Sequence, residues 1–114
     1  ARSAGDADLA AHAASLEAAV ARVADVTRRL HASGDPARTL ANASIYLEAF
    51  GHAVLAWVWL EQACVAHGHG GAFYDGKRQA ARYFFLYELP RIGPQLDLLA
   101  SLDATTLSMQ DEWF

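Results

Sequence analysis

L-A-N-A-S-I-Y-L-E-A-F-G-H-A-V-L-A-W-V-W-L-E-Q-A-C-V, residues 40–65, is the stretch whose reading decides the fold. Apolar side chains return at Leu40, Ala43, Leu47, Phe50, Val54 and Trp57, and the same three-four rhythm continues through Glu61 to Cys64, the period of one face of an α-helix. Around its middle, Val54, Leu55, Trp57, Val58, Trp59 and Leu60 leave almost no polar side. A helix apolar on most of its circumference must be covered from more than one direction. The stretch therefore predicts the central helix of an all-α domain, with this seam turned towards its neighbours.

Working outward, Leu9, Ala13, Leu16, Val20, Val23, Thr27 and Leu30 recur in steps of four and three. With Asp8 as N-cap they predict an amphipathic helix over residues 8–33, about seven turns at 3.6 residues each. Glu17, Arg22, Asp25, Arg28 and Arg29 form its solvated face, and the basic pair near the end suits the helix dipole. Ser33-Gly34-Asp35-Pro36 supplies a stop and a start: Gly34 for the left-handed turn, Asp35 as the next cap, Pro36 where a missing N–H costs nothing. So short a link makes the second helix, residues 36–67, an antiparallel neighbour of the first.

His67-Gly68-His69-Gly70-Gly71 breaks that helix, and Ala81, Phe85, Leu89, Ile92, Leu96 and Leu99 mark a third over residues 73–102. Pro90 and Pro94 fall inside it, and a proline in a helix interior costs on the order of 3 kcal/mol. The apolar register survives both prolines, which favours one kinked helix over two split ones. The tail, residues 103–114, has no clear period and ends in Trp113-Phe114. The expected architecture is an antiparallel up-and-down bundle of three long helices, the third kinked or split at Pro90/Pro94, in a single helical domain over residues 1–114.

Composition narrows the function classes. A chain of 114 residues with 54% hydrophobic content suits one compact core. A net charge of −4, with no basic run longer than Arg28-Arg29 or Lys77-Arg78, gives no footprint for a nucleic-acid backbone. The one cysteine, Cys64, rules out an internal disulfide framework and fits a reducing, cytoplasmic setting. The longest unbroken apolar run, residues 53–60, is far short of a membrane span. The opening A-R-S-A-G-D-A-D has neither a basic n-region nor an apolar h-region, and reads as cut from something longer.

Candidate chemistry is sparse. Cys64 and His67 share a helical face and His69 follows in the loop, so the three could approach one transition metal, although no fourth ligand is evident. Residues 71–78, G-A-F-Y-D-G-K-R, nearly spell a phosphate loop. Arg78 stands where a Ser or Thr should hold Mg²⁺, and a helix rather than a strand precedes it. Glu61 lies on the apolar seam, where a carboxylate is costly unless paired. Antiparallel pairing of helices two and three sets it opposite Arg78 to Arg82, and His52 opposite Glu88, as structural pairs rather than catalytic dyads. No catalytic, cofactor-binding or metal residue is assigned. Tyr83, Phe84, Phe85 and Tyr87 surround one helix, more aromatic surface than three helices can bury. Tyr83, Phe84, Tyr87, Trp113 and Phe114 are therefore the candidate interface residues.

Several runs, in one order, carry a resemblance. They are A-N-A-S-I-Y-L-E-A-F-G-H (41–52), W-V-W-L-E-Q-A (57–63), F-Y-D-G-K (73–77), A-R-Y-F-F (81–85), E-L-P (88–90), P-Q-L-D-L-L (94–99) and the ending D-E-W-F. Together they resemble the extra C-terminal domain of a bacterial acyl-CoA dehydrogenase subfamily that includes enzymes like 3-methylmercaptopropionyl-CoA dehydrogenase. The resemblance is loose over the first helix and close from Asn42 to Phe114.

It implies a parent that is an FAD-dependent flavoprotein oxidising acyl-CoA to 2,3-enoyl-CoA, with the glutamate base and the flavin site in upstream domains. No catalytic or FAD residue carries over to a position here. The expected role is packing and oligomer assembly, with the acyl-CoA dehydrogenase catalytic domains, of the same chain or a second subunit, as partners and a homo-oligomer as the product. A free-standing helical module binding a peptide or lipid-like ligand between its helices is the competing expectation.

Overall fold

The structure, a computed structural model, describes residues 4–114. Ala1 to Ser3, at the start of the opening segment discussed above, lie outside the described residues. The fold is all-α, and no strand occurs among the described residues. Helix α1 spans Ala4–Ala32, α2 Pro36–Leu40, α3 Ala43–Ala66, α4 Ala72–Tyr83, α5 Ile92–Ala100 and α6 Thr105–Ser108. Between α4 and α5 the chain stays helical through a π-turn, Phe84–Glu88, and a 3₁₀ turn, Leu89–Arg91.

Helix α1 begins before the predicted N-cap, so Asp8 lies inside it. Its end follows the sequence reading: Gly34 takes φ 66°, and the Asp35 side chain accepts from the N–H groups of Ala37 and Arg38 with Pro36 opening α2. The expected second helix over 36–67 is interrupted at Ala41-Asn42. Asn42 has left helical geometry (φ −119°, ψ 37°), and its Nδ2 donates to the Asp103 carbonyl at 3.1 Å, tying the start of α3 to the tail.

Both prolines are passed within continuous helical backbone. In the π-turn the Leu89 N–H reaches the Phe84 carbonyl, so one extra residue is accommodated just before Pro90. Pro94 falls in the first turn of α5, where its missing N–H has no intrahelical role. The third run thus consists of α4 and α5 joined without a break by the π and 3₁₀ turns. It ends at Ala100, and Leu102, at φ 55°, turns the chain out of it.

Cross-contacts fix the topology as up-down-up. Thr27 Oγ1 meets Tyr46 Oη at 2.7 Å at one end of the α1–α3 pair, and Asp6 meets His67 Nε2 at 2.8 Å at the other. The last path runs back along α3, from Arg78 against the Ala66 carbonyl to Asp103 against Asn42. It is parallel to α1, with His12 on Phe85 and Arg22 paired with Asp97.

The core comprises Ala19, Val23, Val26 and Leu30 from α1, Ala49, Ala53 and Ala56 from α3, Phe84 and Phe85 from the π-turn, and Leu89, Ile92, Leu96 and Leu99 beyond it. Helix α3 contributes alanines to it. The predicted inward seam points to solvent, with Leu40, Leu47, Phe50, Val54 and Trp57 all exposed, Leu47 at 70% and Trp57 at 53%. The reason is steric: alanine lets α1, α4 and α5 approach the α3 backbone from several sides at once, and Trp or Phe at those positions would hold them off.

By length and composition α3 could cross a membrane. Glu48 and Glu61 lie on it, however, and its alanine side is occupied by three other helices, the packing of a bundle helix.

Candidate functional site

The residues singled out by sequence do not gather into one site. His52 and Glu88 do meet, Nε2 to Oε2 at 3.5 Å, with Arg91 donating to the same carboxylate oxygen at 3.1 Å. The hydrogen bond from Arg91 holds Glu88 below the usual carboxylate range, with His52 acting the same way and partial burial opposing both. Glu61 is not paired with Arg78 or Arg82. It is exposed, because the seam it belongs to faces out, and among the described residues no cation lies in ion-pair reach of it. The Arg78 guanidinium instead donates to the carbonyls of Ala66 (2.7 Å) and His69 (2.9 Å) and pairs with Asp75. A cation there suits the C-terminal end of α3, where the Ala66 carbonyl also accepts from the His69 N–H at 3.1 Å. Arg82 is exposed on the α1 side, near His12.

Cys64, His67 and His69 do not converge. His67 pairs with Asp6, His69 stacks on Tyr74 at 4.8 Å, and Cys64 is exposed. Among the described residues no group of three His, Cys, Asp or Glu could hold a metal ion. The phosphate-loop look-alike is ordinary helix from Ala72 onward.

Of the candidate interface residues, Phe84 is buried (8%), because the widened π-turn brings two successive aromatics inward. Phe84 packs on His52 with ring centroids 5.9 Å apart, and Phe85 stacks flat on His12 at 4.4 Å and 8°. His12, itself buried, is a site-grade residue that the α1 pattern passes over. Burial pushes its pKa down, Asp8 pulls it up and Arg82 pushes it down. Tyr83 and Tyr87, stacked on each other at 4.8 Å, are exposed, as are Trp113 and Phe114.

What the structure does assemble is an outward apolar face centred on α3. On one side of its ridge lies a groove of about 520 Å³ against α1, lined by Val20, Ala24, Thr27, Tyr46, Phe50 and Trp57 among others. On the other side lies a groove of about 440 Å³ against α4, lined by Val58, Glu61, Val65, Phe73, Tyr74 and Lys77. Lys77 Nζ sits over the rings of Phe73 (5.5 Å) and Trp59 (6.0 Å). The sequence held a signal for this face. Alanines at 49, 53, 56 and 63 keep a helical period of their own and mark the close-packed side, leaving the large residues outside.

Neither groove fits FAD. A dinucleotide needs cations or free N–H groups for its pyrophosphate. The α1/α3 groove has no cation and, apart from the single indole N–H of Trp57, only apolar and hydroxyl-bearing side chains, and the α3/α4 groove has the carboxylate Glu61 as well as Lys77 in its lining.

Comparison with known proteins gives one result. Residues 1–110 match the family model described as "Acetyl-CoA dehydrogenase C-terminal like". No match is found among curated proteins or among solved structures. A helical bundle matched over residues 1–110 is a C-terminal acyl-CoA dehydrogenase-like domain. The chain belongs to the acetyl-CoA dehydrogenase C-terminal-like family.

Proposed function

We propose that the chain, one helical domain over residues 1–114, is the accessory domain of an FAD-dependent acyl-CoA dehydrogenase that oxidises acyl-CoA to 2,3-enoyl-CoA in the cytoplasm. Its task is to supply packing surface and oligomer contacts, while base and flavin reside in the catalytic domains it accompanies. The observation that carries this reading is the quantity of large apolar side chains turned outward, the stacked Tyr83 and Tyr87 and the tail aromatics Trp113 and Phe114 among them. Exposed aromatics at this density belong to surfaces that are covered in the working assembly. Tyr83, Tyr87, Trp113 and Phe114 are assigned to contact with the catalytic domains.

The test is direct. The polypeptide encoded by the gene carrying these residues, or one that co-purifies with it, is expected to hold flavin and to reduce an artificial electron acceptor when given an acyl-CoA. A preparation with neither flavin nor acyl-CoA-dependent turnover overturns the reading.

A further inference from the structure

We infer that the start of α1, residues 4–15, is a strap that lies closed over the adjoining ends of α3 and α4 and is released when His12 takes up a proton. The inference does not depend on the proposed assembly role. Between positions 5 and 18 the only buried side chain is that of His12, and the continuous grip of α1 on the core begins at Ala19 and runs through Val23, Val26 and Leu30. Helical stability in a protein comes mostly from tertiary packing, so a helix end with one buried side chain is held by that side chain and little else. Around it, Leu9 is half-buried, Asp6 pairs with His67, and the His12 ring lies flat on Phe85.

His12 anchors the strap as a neutral ring. Among the described residues no hydrogen bond or ion pair reaches the imidazole, whose contact is the stack on Phe85. The charged and titratable groups about it are Asp8 on its own helix, His67 with its partner Asp6 at the end of α3, and Arg78 and Arg82 on α4, while the π-turn presents only the Phe85 ring. Arg78 is committed to the Ala66 and His69 carbonyls and to Asp75. The cavity that His12 shares with Asp8, Ala63 and His67 is about 20 Å³, room for about one water. A buried cation needs a direct partner or a hydration shell, and the closed strap supplies neither.

Burial accordingly pushes the His12 pKa down, Asp8 pulls it up and Arg82 adds to the downward push. In the released strap the ring stands in water and takes its proton near 6.5. The released form therefore binds more protons, so release grows as pH falls through 6.5 and levels off below the pKa of the closed form. Protonation of His67 would strengthen its pair with Asp6 and oppose release, but both side chains are 42% exposed, and such pairs contribute little. Release uncovers Ala63 on α3 and one face of Phe85.

Thiol labelling tests the strap. In a Cys64→Ser background, Ala63→Cys places a thiol under it, at a position 4% exposed beside the small cavity. The rate of reaction with a pyridyl disulfide, divided by that of an unstructured cysteine peptide at the same pH, is expected to rise several-fold between pH 7.5 and 5.5. Linkage to one group with a released-state pKa of 6.5 sets a ceiling of about tenfold over that interval. His12→Phe, which keeps a ring on Phe85, should abolish the rise. Asp8→Asn, which removes the carboxylate favouring a charged ring, should enlarge it.

Dilute urea separates release from unfolding of the whole chain. Lifting the strap exposes little surface, so the Ala63→Cys rate should hardly respond, whereas global unfolding responds steeply. A rate indifferent to pH, a rise that persists in His12→Phe or shrinks in Asp8→Asn, or a rate that climbs with urea as global unfolding does each overturn the proposal.

Discussion

His12 has the most to reveal among single residues. It is 7% exposed, stacked flat on Phe85, with Asp8 and Arg82 as the charged groups that act on it. Burial holds its pKa below the unfolded value of 6.5, so between the folded and unfolded pKa values the unfolded chain binds more protons. Stability should be complete above pH 6.5, fall as pH drops through that value, and level off below the folded pKa. Glu88 is depressed from 4.5, so its contribution is lost only at lower pH. Thermal melts at dilute protein between pH 7.5 and 5.5 should show a falling midpoint for the wild type. His12→Phe, which keeps a ring against Phe85, should flatten that slope. An unchanged slope in the variant would remove His12 as its source.

At the scale of one element, α3 has two apolar sides with opposite tolerances. Ala56 is fully buried against the neighbouring helices, so Ala56→Leu should cost about 1–3 kcal/mol in urea unfolding through overpacking. Leu47, larger and more hydrophobic, should be replaceable by Gln within about 0.5 kcal/mol at dilute protein. Equal costs at the two positions would mean the helix is rotated from the orientation described. The third run makes a related point. Ala81, Phe85, Leu89, Ile92, Leu96 and Leu99 are all buried, as their spacing predicts, and the wide π-turn is followed at once by the tighter 3₁₀ turn Leu89–Arg91, which offsets it and keeps the face in phase past Pro90.

For the whole molecule, the tail is attached at one end and free at the other. Asn42 Nδ2 holds the Asp103 carbonyl and Thr106 Oγ1 reaches the Ala41 carbonyl, whereas Trp113 and Phe114 are 64% and 94% exposed. Removing residues 111–114 should leave unfolding free energy within about 0.5 kcal/mol. Asn42→Ala should cost about 1 kcal/mol, the worth of a hydrogen bond. A large loss on truncation would place the tail aromatics in the fold of the single chain and take them from the candidate interface.

The sequence by itself determined the helical class, the up-down-up order, the Gly34-Asp35-Pro36 connection, the buried face of the third run and the meeting of His52 with Glu88. Each of these follows from local spacing or from register counted across a short link. It misjudged which side of a helix is inside where two sides are about equally apolar, as with the seam of α3 that it turned inward. On α1 the steps from Leu9 through Val20 to Leu30 and those from His12 through Val26 to Leu30 both keep the three-four period. On α3 both the alanine side and the Leu-Phe-Val-Trp side do so. Only tertiary packing chose, and it chose by closeness of approach. Three helices can gather on alanines at interior density, which leaves the large side chains of residues 47–57 outside.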